Sequence, residues 1–300
     1  MDMTQNKCCR HGASLRRRRR RRRKILRSII FSCSIIAVAV FVAVGSRMIT
    51  SGDGGTNRYD VEAGNNTYDN AVIENSKISE NNKIQNEQSM LDDIMNSTQY
   101  PKQLKDLALK NEEALEFVYD YPAEHVKEHT IDLTEEASMD SVPLFVQWDK
   151  RWGYEKYSGN FFAASGCGPT TLSMVVVYLT HNREASPIAV AKYSKEAGYS
   201  VDGSGSSWTL ISEGCRHYGV KAKTVALDES RMKAELDAGH PIVVNVGPGD
   251  FTDTGHFMVI TGYDDEGFSI NDPNSIEKSG KRWLFKNISS QIRAVWSMYV

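Results

Sequence analysis

Eighteen consecutive residues without a charge, SIIFSCSIIAVAVFVAVG over Ser28–Gly45, stand just behind an octet of arginines, Arg16–Arg23, and Lys24. As a helix the run rises about 27 Å at 1.5 Å per residue, against a hydrocarbon core of about 30 Å. Ile25 and Leu26 lengthen it if Arg27 snorkels to the headgroups. Because Lys/Arg excess stays on the cytoplasmic side, residues 1–27 are expected inside the cell, 28–45 as a transmembrane signal anchor, and everything beyond outside it. The chain is thus expected to be single-pass in the cell membrane. Small residues at Ala43 and Gly45 leave open a cleaved signal and a secreted product, although apolar signal cores usually run only about 7–15 residues. An arginine block can also be a nucleic-acid arm; here its abutment on the apolar run favours topology.

Charge divides the same way. Residues 1–47 carry thirteen of the 36 Lys and Arg and one of the 38 acids, a local charge of +12, which leaves −14 on the remainder. An acidic body argues against nucleic acid as a partner, since phosphates require basic surface. Of five cysteines, Cys8 and Cys9 fall in the basic head and Cys33 in the apolar run. Only Cys167 and Cys215 face outward. Two cysteines make one bridge or two thiols, not the disulfide framework of a small secreted scaffold.

Beyond the span, residues 46–88 are rich in Asn, Gly, Ser and Glu with no sustained apolar period, and read as a flexible stalk. Residues 89–139 change character: Ser89 is an N-cap candidate, and Leu104, Leu107, Leu109, Leu115, Phe117 and Val118 predict a small helical cap. His125 and His129 stand at i, i+4, but with no third ligand beside them they read as a solvated face, not a metal site.

Residues 140–300 form the main domain. Gly168-Pro169 opens a helix to about Thr180. Ser186 and Pro187 open a second that Gly198 ends, and a third is expected over Ser207–Tyr218. Trp208, Leu210, Ile211, Cys215 and Tyr218 recur on it at helical spacing and are expected in the core. Strands follow at 241–247, 256–263 and 268–272, the last two joined by a turn at Asp264–Gly267. Helices before antiparallel strands predict an α+β fold. Gly203, Gly205, Gly247 and Gly249 lack the context of a nucleotide loop.

The chemistry concentrates at Ser165-Gly166-Cys167-Gly168-Pro169. Glycines on both sides let another backbone approach, and the helix that follows turns its positive end toward the thiol. A small buried residue, or a bridge to Cys215, are the bland readings. A nucleophile needs a base and the base an orienting group. His256 is distinguished because Gly255-His256 opens a strongly apolar strand. A hairpin centred on 264–265 pairs residues whose numbers sum to about 529, which puts His256 nearly opposite Pro273 and Asp272. Asn271 is the competing partner for the ring. Trp148, Trp152, Tyr154 and Tyr157, between Gln147 and Cys167, read mainly as packing.

The stretches VPLFVQWDKRWGY, SGCGPTTLSMV, GHFMVITGYD and INDPNS, in that order over about 140–300, resemble the papain-like cysteine peptidases related to bacteriocin-leader, double-glycine peptidases (family thirty-nine). The resemblance implies a papain-like fold, a central helix on an antiparallel sheet. It implies Cys167 as nucleophile, His256 as general base and then acid, Asp272 as orienting carboxylate, and Gln147 as an oxyanion-hole donor. Gln147 lies twenty residues before Cys167, a wider gap than in transporter-fused relatives, and the chain holds no ATP-binding cassette. The expectation is a membrane-anchored, extracytoplasmic thiol hydrolase acting on a peptide or protein, without metal or cofactor, with a separate exporter or cell-wall partner left open. The alternative is a silent papain-like surface domain that binds peptide or cell-wall fragments.

Overall fold

The computed structural model describes the backbone from Asn66 to Val300 and side chains from residue 79 onward. The expected cytoplasmic head, membrane anchor and first part of the stalk lie outside the described residues. Among those described, no helix is long and apolar enough to cross a membrane.

A long helix α1 (Asn66–Asn96) precedes α2 (Lys102–Lys110) and α3 (Leu115–Tyr119). After two-residue ladders come α4 (Cys167–Thr180), α5 (Pro187–Glu196), β1 (Lys221–Thr224), α6 (Glu229–Asp237), β2 (Ile242–Val246), β3 (His256–Asp264), β4 (Gly267–Asn271), β5 (Arg282–Trp283) and β6 (Ile292–Tyr299). The six strands form one sheet in the order β1-β6-β2-β3-β4-β5. Every pairing is antiparallel. The architecture is α+β, with α4 packed on the sheet through Leu172, Val175, Val176, Val243, Val259 and Met298.

Strand alternation explains the two cores. Ile242, Val244 and Val246 of β2 join Met258 and Ile260 in one cluster, while Val243 turns to the α4 side. The C-terminal strand β6, which sequence patterning did not single out, lies inside the sheet between β1 and β2. Its residues IRAVWSMY carry no clean alternation.

Three local expectations are corrected. The helix α1 runs through residues 66–88, expected as stalk, and Ser89 is interior to it and not its cap. The segment contains neither Gly nor Pro, and Ile94 near its end is fully buried, so a polar stretch without breakers continues into an anchored turn. The helix expected over Ser207–Tyr218 is broken into one turn at Thr209–Ser212 and a 3₁₀ segment at Gly214–Tyr218. The break falls at Glu213, with φ −128°, beside Gly214, which packs against Leu210 and the Tyr199 ring. Trp208, expected in the core, is 47% exposed for the same reason: it precedes the short turn instead of sitting on a full helix.

Helices α2 and α3 fall within residues 89–139. Ile94, Leu104, Leu107, Leu115, Phe117 and Val118 make a separate core that takes in Phe161 and Ala163 of the main domain. Tyr154 stacks on Phe117 with ring centres 4.2 Å apart and donates its hydroxyl to the Phe117 carbonyl at 2.8 Å. Trp152 and Tyr157 are buried, as packing residues should be. His125 stacks on Tyr121 and His129 faces Glu124, and no cluster of metal-ligating side chains occurs among the described residues.

The β3–β4 turn depends on Gly267, whose φ is +134° and whose absent Cβ would lie 2.6 Å from the Trp283 carbonyl oxygen. Gly267→Ala is expected to cost about 1–3 kcal/mol, read in a thermal melt as a Tm lower by roughly 3–10 °C. An unchanged Tm would show that the turn yields freely.

Candidate active site

Helix α4 begins at Cys167 itself, so the sulfur stands on the first helical residue, where unpaired backbone N–H groups favour a negative charge. The flanking glycines are both required by close contacts. A Cβ on Gly166 would lie 2.5 Å from the Phe162 ring, and one on Gly168 would lie 2.5 Å from Ser206 Oγ. Cys167 is a free thiol and partly exposed; Cys215 is a free thiol and buried. No bridge joins them.

His256 opens β3 opposite Val246 of β2, with only 6% of its surface exposed. Its Nε2 meets Asp272 Oδ1 at 2.7 Å, and Asp272 is fully buried. The ring also acts electrostatically on the Cys167 thiol. Since Nε2 is held by the carboxylate, Nδ1 is the nitrogen left for sulfur. Asp272 thus acts on His256 through a direct contact, and His256 acts on Cys167 through its charge.

The hairpin register is close to the sequence expectation and not identical to it. Paired numbers sum to 530 at Val259↔Asn271 and to 531 at Gly262↔Ser269, with a bulge between Ile260 and Gly262. The turn sets the pairing two places from the expected sum, and the extra residue brings it back by one. Asp272, just past the end of β4, still reaches the ring. Its neighbour Asn271 points to the other face, donating to the Val142 and Pro143 carbonyls at 3.0 Å each.

Gln147 ties the two sides together. Its backbone N–H donates to the Pro273 carbonyl at 2.7 Å, beside Asp272, and its side-chain Nε2 donates to the Ala163 carbonyl at 2.7 Å, four residues before Cys167. The side chain is buried, its Oε1 has no partner, and its second amide N–H has no acceptor among the described residues. No hydrogen bond joins it to Cys167.

Electrostatics follow from these contacts. Burial alone raises the Cys167 pKa, but the His256 ring, its positive charge, and the backbone N–H groups of Phe257 and Gly168 outweigh burial and bring it below the ordinary thiol value. Burial likewise disfavours a charged His256, and the Asp272 carboxylate overrides it, pushing the imidazole up to about 10. Cys215 has no such partner, and burial pushes it up to about 11. Two thiols of one chain are thereby set apart: one made easier to ionise, one harder.

The thiol borders an open cleft of ≈ 660 Å³ whose walls include Ser158, Asn160, Ser206, Trp208, Asn245 and Arg293. Asn245 and Arg293 were not singled out by sequence, and Trp208 was expected in the core. Asn245, buried on β2, donates to the His256 carbonyl at 3.3 Å. Arg293 stands at the start of β6 and crosses the backbone at Gly247, where a Cβ would lie 2.6 Å from its Nε. Among the described residues no carboxylate pairs with it. A lone Arg in a strand and an Asn in an apolar run carry no local signal of a shared cleft.

A family comparison bears on this arrangement. Residues 139–300 match the Peptidase_C39 like family, and the chain belongs to that family. Among solved structures, the peptidase domain of Streptococcus ComA, described as a bi-functional ABC transporter involved in a quorum-sensing pathway, aligns at 18% identity with a TM-score of 0.39. The alignment covers 53% of this chain and 96% of that one. A protein described as a C39-like peptidase from Bacillus anthracis aligns at 16% identity with a TM-score of 0.34, covering 53% and 95%. No curated protein matches the chain.

Replacing Asp272 by Ala removes the charge that overrides burial at His256, so the imidazole pKa falls and the thiol pKa rises. Alkylation of Cys167 by iodoacetamide at pH 6 is expected to slow about tenfold for each unit lost. An unchanged rate would mean that the carboxylate does not govern the thiol.

Proposed function

We propose that the protein is a membrane-anchored, extracytoplasmic cysteine peptidase that hydrolyses peptide bonds through a Cys167–His256–Asp272 mechanism. The observation that carries the reading is the buried His256–Asp272 contact at 2.7 Å, aligned on a partly exposed thiol at a helix N-terminus beside an open cleft. The anchor rests on the charge and length of residues 16–45.

In this mechanism the Cys167 thiolate attacks the scissile carbonyl carbon, and its electron pair forms the C–S bond while the carbonyl oxygen takes the negative charge. The Cys167 backbone N–H and the unused N–H of Gln147 are the donors suited to that oxygen; one such donor typically contributes about 10²–10³ in rate. Imidazolium His256 passes its proton to the departing amine as the C–N bond breaks, leaving a thioester. Water then attacks the thioester while His256 takes its proton, and the acid product leaves with the thiolate restored. Asp272 holds the ring in one orientation throughout.

The cleft also suggests a substrate chemistry. Ile292 pairs with Val246, and Val246 with His256, so Arg293 stands next to a row two strands from the base. That is about 10 Å at the usual strand spacing, or roughly three residues of extended peptide. An unpaired guanidinium there suits a peptide with a carboxylate a few residues from the scissile bond. Charge reversal, Arg293→Glu, should shift kcat/KM from Glu-bearing toward Lys-bearing peptides by at least about 3-fold, near the upper range for an exposed pair. Equal ratios in both proteins would remove this preference.

The activity itself is tested with a diverse peptide library. Cleavage is expected from the wild type and is lost in Cys167→Ala. The pH profile should show activity rising as the thiol ionises, well below its ordinary range, and falling as the imidazolium loses its proton near pH 10. Binding of peptides without turnover by both proteins would instead identify a silent binding domain.

A further inference from the structure

Asp272 holds His256 through one oxygen only. Its Oδ2 is buried without a partner, while Oδ1 accepts from both His256 Nε2 at 2.7 Å and the Asn274 backbone N–H at 2.8 Å. The Asn274–Ser275 turn therefore helps to place the carboxylate, together with the Ser279 hydroxyl that accepts the Asp272 N–H at 2.9 Å and the Trp148 indole that donates to the Asn274 carbonyl at 3.3 Å. That turn is gripped from the helical cap. Asn111 Nδ2 donates to the Asn274 carbonyl at 2.9 Å and to its side-chain oxygen at 3.2 Å. Glu113 accepts from Ser275 Oγ and from the N–H groups of Ile276 and Glu277, at 2.7 and 3.1 Å for the latter two. Asn111 and Glu113 are themselves coupled, since Asn111 Oδ1 accepts the Glu113 N–H at 3.1 Å.

Both residues lie upstream of 139, where the family match begins. None of the residues that wall the Cys167 cleft comes from the cap. A segment that blocked the site would occupy the cleft; this one leaves it open and reaches the site from behind.

The geometry points to Glu113 and Asn111 as positioning residues: the cap is a permanent brace that fixes the Asp272 turn, and so sets the protonation of His256 and Cys167, instead of an inhibitory segment to be removed. The inference rests on the thiolate–imidazolium reading of the site. It extends that reading to a part of the chain outside the family domain. Physically, a half-buried carboxylate receiving three hydrogen bonds at the start of a short helix is a strong local tether. Removing it frees the turn whose N–H shares Asp272 Oδ1 with the base.

The test uses the full-length chain and the pH dependence of Cys167 alkylation by iodoacetamide, alongside the Tm of each variant. Glu113→Ala and Asn111→Ala are expected to move the profile upward by about one unit, so that alkylation at pH 6 slows about tenfold. Glu113→Gln, which keeps one acceptor, should fall between them and wild type. Lys150→Ala removes a 2.6 Å ion pair to Asp120 in the same cap without touching the turn, and should leave the profile in place. If the Glu113 and Asn111 variants lower Tm but their profiles coincide with wild type, the brace is merely structural and the proposal falls. If wild-type Cys167 titrates like an ordinary thiol, the thiolate–imidazolium reading falls and takes the proposal with it. Should Glu113→Ala fail to fold, Asn111→Ala and Glu113→Gln decide between the same outcomes.

Discussion

A buried carboxylate against a buried imidazole is the interaction around which this domain is arranged. Asp272 has no exposed surface and His256 almost none, so the pair is shielded from water and the carboxylate favours the charged imidazole. Removing ionised groups from water is costly unless they are paired and hydrogen-bonded. The sheet meets that cost by ending β4 where a carboxylate can face the first residue of β3. The fold then brings the end of α4 to the same place, adding a helix terminus and a thiol. Charge at sulfur is thereby coupled to a contact on the far side of the ring.

The surrounding structure serves that alignment by different physical means. Close packing positions the sulfur: Gly166 admits the Phe162 ring and Gly168 admits Ser206, so neither neighbour of Cys167 tolerates a side chain. Hydrogen bonds surround the imidazole: Gln147 links Pro273 to Ala163, and Asn274 shares Asp272 Oδ1 with the ring. Burial sets the second thiol apart. Cys215 sits in the same core as α4, where burial outweighs the Arg216 charge and the nearby backbone N–H groups. The same residue type thus takes opposite character at two places in one domain.

The cap joins the domain by two distinct attachments. One is apolar, with Phe117 and Leu115 packed near Phe161 and Ala163. The other is polar: it includes Tyr154 on the Phe117 carbonyl and Lys150 on Asp120, and through Asn111 and Glu113 it lands on the turn that follows Asp272. A cap held by its apolar face alone would be free to slide, because hydrophobic contact is not directional. The polar contacts fix its register, and with it the turn.

Local sequence determined a good part of this protein. The Gly-Cys-Gly-Pro start of α4, the Ser186–Pro187 opening of α5 and the β3–β4 turn are short-range features, decided by backbone sterics and by capping within a few residues. A histidine opening an apolar strand, and the aspartate past its hairpin partner, were legible because antiparallel pairing ties residue numbers to positions in space. The bulge after Ile260 was not, and it changed the register by one place. Only the tertiary structure decided the rest. It chose Asp272 over Asn271, because strand alternation sends adjacent side chains to opposite faces. It put Arg293 and Asn245 beside one cleft, moved Trp208 to the surface, and set Glu113 against Ser275, 162 residues along the chain. Contacts between residues so far apart leave no periodicity or spacing in the sequence, because the folding of the whole domain brings them together.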